Sequence, residues 1–107
     1  MKPTLPDGLP AKVLECIQLY TSPDKRIRRE HICAYCNSSD RQVRLAIEYL
    51  RNEGHSIISE SGVPGYYFRR SDVEIVTAEL RSRAYKLLNT ARALERGREV
   101  GQMELAL

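Results

Sequence analysis

The apolar and polar positions in the first third of the chain repeat with the period of an α-helix. The first apolar stripe consists of Val13, Leu14, Ile17 and Tyr20, and the second of Ile32, Cys33 and Cys36. The pattern predicts one helix from Pro10, a residue suited to a first turn, to about Thr21. It predicts a shorter helix from Arg28 or Arg29 to about Tyr35, and residues 25–27 between the two fit a brief strand.

The third apolar stripe has the clearest beginning and end. It consists of Val43, Ala46, Ile47 and Leu50. Ser39 can cap the first turn, Asp40 suits the positive end of the helix dipole, and Gly54 can take the left-handed stop. The residues on or near the opposite face are Arg41, Arg44, Glu48 and Arg51. We therefore predict an amphipathic helix with an arginine-rich outer face, joined to the preceding helix by a tight polar turn.

The pattern becomes extended after Gly54 and then helical again. Residues 55–59 and 66–70 have the composition of strands, and residues 60–65 that of a turn, which predicts a hairpin. A last stripe follows at spacings of three and four, and consists of Val73, Val76, Leu80, Ala84, Leu87, Ala91 and Leu94. It predicts one helix of about 25 residues that ends near Arg96 or Gly97. These boundaries divide the chain into a loose arm (1–9), a domain (10–70), a long helix (71–98) and a tail (99–107).

Composition limits the class of protein. The 107 residues suffice for one modest core, and 17 Lys and Arg against 14 Asp and Glu give a net charge of only +3. Thirteen of the basic residues are arginine, whose guanidinium group suits bidentate contacts with phosphate or guanine. The sequence has neither an apolar run of about 18 residues nor a hydrophobic signal region, so we expect a cytoplasmic protein without a membrane partner.

The cysteines and histidines give little sign of catalysis or metal binding. An odd number of cysteines without an export signal argues against a disulfide framework. Cys33 and Cys36, with His31 and Cys16, could in principle supply four zinc ligands, but no second Cys-x-x-Cys pair closes the site. We therefore interpret the cysteines as small buried hydrophobes and expect neither a metal nor a cofactor. Around His31 and His55 no catalytic motif can be assembled, which argues against an enzyme.

Several short motifs in this order resemble the winged helix-turn-helix family, in particular the domain type at the N-terminus of the biotin operon repressor. The motifs are residues 29–33 (REHIC), 39–44 (SDRQVR), 47–54 (IEYLRNEG) and 65–68 (GYYF). The resemblance covers residues 10–69 and implies an α+β fold of three helices and a two-stranded wing, here followed by a long helix. Arg28 departs from the family's usual Ser or Thr cap, and Asp40 stands where a basic residue is common.

The resemblance implies double-stranded DNA as the partner. The predicted DNA site consists of Arg28, Arg29, His31, Ser39, Arg41, Gln42, Arg44, Leu45 and Glu48. On the third helix Arg would pair with guanine, Gln with adenine and Leu with a thymine methyl, while the basic residues that begin the second helix would contact phosphates. In the alternative, the arginine face is solvated, Arg44 pairs with Glu48, and the scaffold is a protein-protein interaction module.

The arginine-rich stretch of the long helix adds a second resemblance. Residues 81–88 are similar to a segment that follows the wing in small phage and prophage winged-helix proteins, which implies a replication accessory or a transcriptional regulator. The apolar stripe of this helix either packs against a second copy or folds back over the first helix. One extra residue in the stripe argues against a long regular coiled coil. We predict a homodimer through Leu80, Ala84, Leu87, Ala91 and Leu94.

The last six residues, QMELAL, are similar to the bacterial sliding-clamp-binding peptide. Such a peptide needs a glutamine amide for one pocket and flexible apolar side chains for a groove. The corresponding residues are Gln102, Met103, Leu105 and Leu107, with Met103 in place of the first leucine. The alternative is an apolar tail that packs on its own domain.

Overall fold

The computed structural model describes residues 5–105, and side chains for residues 5–98. Its described part is α+β, with four helices and one antiparallel two-stranded sheet. The elements are α1 (Leu9–Gln18), α2 (Arg29–Cys36), α3 (Asp40–Asn52), β1 (Ile57–Glu60), β2 (Val63–Phe68) and α4 (Val73–Leu105). The predicted order of helices and hairpin is confirmed. A first unit ends at Val76 and a second begins at Thr77, within α4.

The core of the first unit forms where the apolar stripes of α1, α2 and α3 meet. Its least accessible helical residues are Val13, Ile17, Ile32, Val43 and Ala46. α1 ends at Gln18, earlier than predicted, and Tyr20 lies beyond its C-cap, Leu19. The carbonyl of Tyr20 accepts a hydrogen bond from the Phe68 amide at 2.7 Å, so the end of α1 is tied to the end of β2.

A short extended segment at Ile27 continues the sheet beside β2. The Ile27 amide donates to the Tyr66 carbonyl at 2.9 Å, and the Tyr66 amide donates back at 2.8 Å. The brief strand predicted at residues 25–27 is thus present as an isolated bridge. Because this bridge comes directly before α2, it fixes the hairpin next to the start of that helix.

A smaller apolar cluster covers the other face of the hairpin. It consists of Ile58, Tyr67 and Val76, with Tyr20, Val73 and Ile75 packed against them. The Tyr67 hydroxyl donates to Asp72 Oδ2 at 2.8 Å, just before α4 begins. The first turn of α4 therefore belongs to the core of the first unit.

The second unit consists of the rest of α4. Every side chain described in residues 80–98 is exposed. The helix continues through Gly97 to Leu105, so the predicted end near Gly97 was wrong. Glycine inside a helix costs only about 1 kcal/mol, and the arginines on either side of Gly97 are good helix formers. Among the described helices, α4 included, none has the length and hydropathy of a membrane span.

Candidate nucleic-acid interface

The turn between α2 and α3 is fixed by a cap on each side. Asn37 ends α2 in the left-handed region, with φ 48° and ψ 50°, and its amide donates to α2 carbonyls. At the start of α3, Ser39 Oγ accepts a hydrogen bond from the Gln42 amide at 3.2 Å. Gln42 Oε1 in turn accepts one from the Ser39 amide at 3.1 Å. This capping box orients the beginning of α3 against α2.

The capping box occupies polar groups that were predicted to contact DNA. A bidentate contact with adenine needs both the oxygen and the nitrogen of the Gln42 amide. Its oxygen is held by Ser39, and the side chain is half-buried. In this structure Ser39 and Gln42 therefore shape the turn, and the exposed positions on this face of α3 are Arg41, Arg44 and Glu48.

The outer face of α3 is open to solvent. Arg41, Arg44 and Glu48 are exposed, Leu45 is half-buried, and the buried residues lie on the opposite face, as the helical period predicted. Arg51 is different, because its Nε donates to the Ile57 carbonyl at 2.9 Å and its Nη2 to Ser59 Oγ at 3.0 Å. That arginine joins α3 to β1, so it does not belong to the open part of the face.

Asp40 is the centre of an ion-pair network at the start of α3. One carboxylate oxygen accepts a hydrogen bond from Arg29 Nε, and the other lies 3.0 Å from Arg44 Nε. The alternative prediction, in which Arg44 pairs with Glu48, is wrong. The Arg44 guanidinium contacts Asp40 instead, one turn earlier in the helix. Two guanidinium groups thus balance the negative charge of this carboxylate.

Arg29 links three elements of the first unit. Besides Asp40, it donates to the Tyr66 hydroxyl at 3.2 Å, and these two hydrogen bonds raise the pKa of its guanidinium further. The side chain is half-buried, so the predicted phosphate contact at Arg29 competes with a structural role. Arg28 and His31, which were predicted with it, are exposed at the start of α2.

An open cleft lies between the start of α2 and the hairpin. Its volume is about 290 Å³, and its walls include Arg28 and Arg29 on one side and Ser59, Glu60 and Tyr66 on the other. Glu30 and Glu60 balance the charges of Arg28 and Arg29 around the cleft, so it favours neither an anionic nor a cationic ligand. The cleft brings the basic start of α2 next to the hairpin, which the linear sequence did not indicate.

Arg26 is a largely buried cation that the sequence pattern did not indicate. Its side chain is 10% exposed, and its Nη2 donates to Glu60 Oε1 at 2.6 Å. Its guanidinium carbon lies 4.8 Å from the centre of the Tyr67 ring. The segment at residues 25–27 is too short to show the periodicity from which a buried side chain could be predicted. The one sequence signal for this ion pair was Glu60, the single acidic residue in the predicted hairpin turn.

The cysteines behave as core residues. Cys16 and Cys36 are buried, Cys33 is half-buried, and all three are free thiols. Burial raises the pKa of the Cys16 and Cys36 thiols, which keeps them protonated. Within residues 5–105, His, Cys, Asp and Glu do not form a group of three that could hold a metal ion.

The two remaining predicted surfaces belong to α4. The predicted dimer residues Leu80, Ala84, Leu87, Ala91 and Leu94 are all exposed in this chain. Of the predicted clamp-binding residues, Gln102, Met103 and Leu105 have helical backbone, and their side chains lie outside the described part of the structure. Leu107 lies wholly outside it.

The first unit therefore has an exposed, arginine-bearing helix face beside a capped turn and a hairpin. This arrangement can present cations and hydrogen-bond donors to a grooved partner. Comparisons with protein-family models, with curated proteins and with solved structures find no match to this chain.

Proposed function

We propose that the first unit is a winged helix-turn-helix domain that binds double-stranded DNA, with α3 as the helix that enters the major groove. The observation that carries this proposal is the exposure of Arg41 and Arg44 on the outer face of α3, directly after a capped turn. A major groove is about 12 Å wide and admits an α-helix whose side chains reach base edges. Arg41 and Arg44 are the side chains we assign to these contacts.

The neighbours of α3 support the proposal. Arg28 and His31 are exposed at the start of α2, where they would meet phosphates on one side of the groove. The hairpin is held next to them by the bridge between Ile27 and Tyr66. In a winged helix-turn-helix the hairpin is the wing, and it would contact the DNA backbone beside the same groove. Its turn has no Lys or Arg, so backbone amides would make this contact.

The double variant Arg41→Ala, Arg44→Ala tests the proposal. We expect its affinity for duplex DNA to fall about tenfold or more, and the remaining affinity to depend less steeply on salt concentration, because two cations leave the groove. Fluorescence anisotropy on a labelled random duplex at two salt concentrations measures both quantities. Arg92→Ala, Arg96→Ala removes the same charge from exposed positions of α4 and is the matched control.

The three possible failures are distinguishable. If the wild-type protein binds no duplex, the DNA proposal is wrong and the interaction module is favoured. If the Arg41, Arg44 variant binds like the wild type, the DNA site lies elsewhere. If only the control variant loses affinity, the site is on α4.

A second prediction concerns Asp40. Asp40→Asn removes a negative charge from the start of α3 and weakens the hold on Arg44, while the amide keeps a hydrogen-bond acceptor for Arg29. We expect the duplex affinity to rise about threefold to tenfold at low salt. Asp24→Asn, an exposed loop position with the same charge change, is the control. An unchanged or lower affinity for Asp40→Asn would show that the Asp40 region does not face the DNA.

A protein-interaction module is the second candidate, and exposed aromatic residues favour it. Tyr35 on α2 and Tyr49 on α3 are 57% and 49% exposed. Aromatic side chains are enriched at protein interfaces, where they bury a large area at a small cost in entropy. Tyr35→Ala and Tyr49→Ala would weaken partner binding in that case and leave the salt dependence of duplex binding unchanged.

The biological role is a further part of the proposal. The similarity of residues 81–88 to phage and prophage proteins favours a replication accessory or a transcriptional regulator. The clamp-binding peptide at residues 102–107 stays a prediction, because its side chains lie outside the described part of the chain.

A further inference from the structure

The part of α4 beyond Val76 has an apolar stripe that is exposed among the residues whose side chains the structure describes. Leu87 and Leu94 are 67% and 71% exposed, and Leu80 and Leu88 are also open. Isolated exposed leucines are common on protein surfaces, whereas a continuous row of them along one helix is typical of a binding face.

From Leu80 onward the stripe follows a strict heptad. Leu80, Leu87 and Leu94 occupy one core position, conventionally called d, and Ala84 and Ala91 occupy the other, a. The irregular spacing lies before Leu80, in the turn that packs in the first unit. Over about 21 Å, leucine alternates with alanine, and the small alanines allow a second helix to approach closely.

The charges beside this stripe complement each other in one orientation only. Arg81, Leu88 and Glu95 occupy the same flanking position, e, at intervals of one heptad. In an antiparallel pair of heptad helices the e positions of the two copies face each other. Centred on Leu88, such a pair places Arg81 of each copy beside Glu95 of the other, and the two Leu88 side chains meet at the two-fold axis.

We infer that α4 forms an antiparallel homodimer through the stripe from Leu80 to Leu94, with two reciprocal ion pairs between Arg81 and Glu95. Neither side chain makes an ion pair within residues 5–98. Both are exposed and so are available to a second copy. This dimer does not require that α3 binds DNA.

The parallel arrangement fits the same helix poorly. Arg98 continues the heptad at position a, and in a parallel pair the two Arg98 side chains would face each other in the core. In the antiparallel pair Arg98 lies opposite Leu80 of the second copy, at the rim. Parallel packing would also leave Arg81 and Glu95 without partners of opposite charge.

The other flanking position, g, is compatible with the antiparallel pair. Arg83 lies across from Gly97 of the second copy, so no like charges meet there. The two Thr90 side chains face each other at the centre. The hydroxyl of Thr90 already donates to the Lys86 carbonyl at 3.0 Å in its own helix, so covering it leaves no hydroxyl proton without an acceptor.

Reciprocal charge reversal in the full chain tests this dimer. Arg81→Glu and Glu95→Arg each create two like-charge contacts per dimer, and we expect the dissociation constant of each variant to rise about tenfold or more. Mixing the two variants creates only opposite-charge contacts, so mixed dimers should form with nearly wild-type affinity. Sedimentation equilibrium measures the constants, and native mass spectrometry identifies the mixed dimer.

Arg96→Glu is the matched control, because it has the same charge change as Arg81→Glu at an exposed position on the opposite side of the helix. It should leave the dissociation constant within about twofold of the wild type. A thermal melt of each variant checks that the first unit folds normally. A wild-type protein that stays monomeric at about 100 μM would overturn the inference, as would a mixture of the two variants that recovers no dimer.

Discussion

Tyr67→Ala is expected to lower the free energy of unfolding by about 3–5 kcal/mol, as large aromatic truncations in cores do. The side chain of Tyr67 is fully buried in β2. It packs with Ile58 and Val76 on one face of the hairpin, and the Arg26 guanidinium lies against its ring. Because small domains are stable by only about 5–15 kcal/mol, the variant would be partly unfolded at 37 °C. Urea denaturation followed by circular dichroism measures the loss.

Tyr67→Phe separates the ring from the hydroxyl. It keeps the packing and the contact with Arg26 and removes only the hydrogen bond to Asp72. We expect a loss of about 0.5–1.5 kcal/mol. If Tyr67→Ala cost no more than Tyr67→Phe, the ring would not be the element that joins hairpin, Arg26 and α4.

The same pair of variants predicts a pH dependence. Burial, together with the hydrogen bond to Asp72, raises the pKa of Tyr67 to about 12. An unfolded tyrosine loses its proton near pH 10, so above that pH the folded state binds one proton more than the unfolded state. The contribution of the Tyr67 hydroxyl to the free energy of unfolding should therefore be constant below pH 10 and should fall as the pH rises from 10 to 12. The part of the fall that is absent in Tyr67→Phe belongs to this hydroxyl.

The sequence predicted the helices and hairpin well because each has a local signal. The stripe of α3, its Ser39 cap and the Gly54 stop lie within one continuous segment, and the structure places all of them as expected. The predicted end of α4 near Gly97 was wrong, because a glycine is a weak stop signal when the residues that follow it favour a helix.

The site was harder to predict because its polar groups pair across distant segments. Arg29 and Asp40 come from two helices, and Tyr66 from the hairpin, so nothing in their spacing indicates the network. Gln42 shows a different limit, since one residue type serves both for capping a helix and for contacting a base. Periodicity placed these side chains on a surface, and only the three-dimensional structure shows which polar atoms are already occupied.

Gly65→Ala is expected to destabilise the first unit by about 2–5 kcal/mol, through backbone strain and overpacking together. Gly65 has a φ of +98°, which residues with a side chain rarely adopt. It lies where β2 passes close to Arg26 and Ile27, in the segment before α2. An added Cβ would lie 2.7 Å from the Cβ of Arg26 and 3.1 Å from the Ile27 carbonyl oxygen. Since neither is the end of a flexible side chain, the strands must separate.

Gly62→Ala is the control that isolates the close approach. Gly62 also has a positive φ, +81°, but nothing lies within 4 Å of its added Cβ, so only the strain of about 1 kcal/mol is expected. In Gly65→Ala, hydrogen exchange at the Ile27 and Tyr66 amides should also accelerate, because the bridge between them opens. Equal losses of stability in the two variants would mean that backbone strain alone explains the glycine. A larger loss at Gly65, with faster exchange at Ile27, would show that this contact holds the hairpin beside α2.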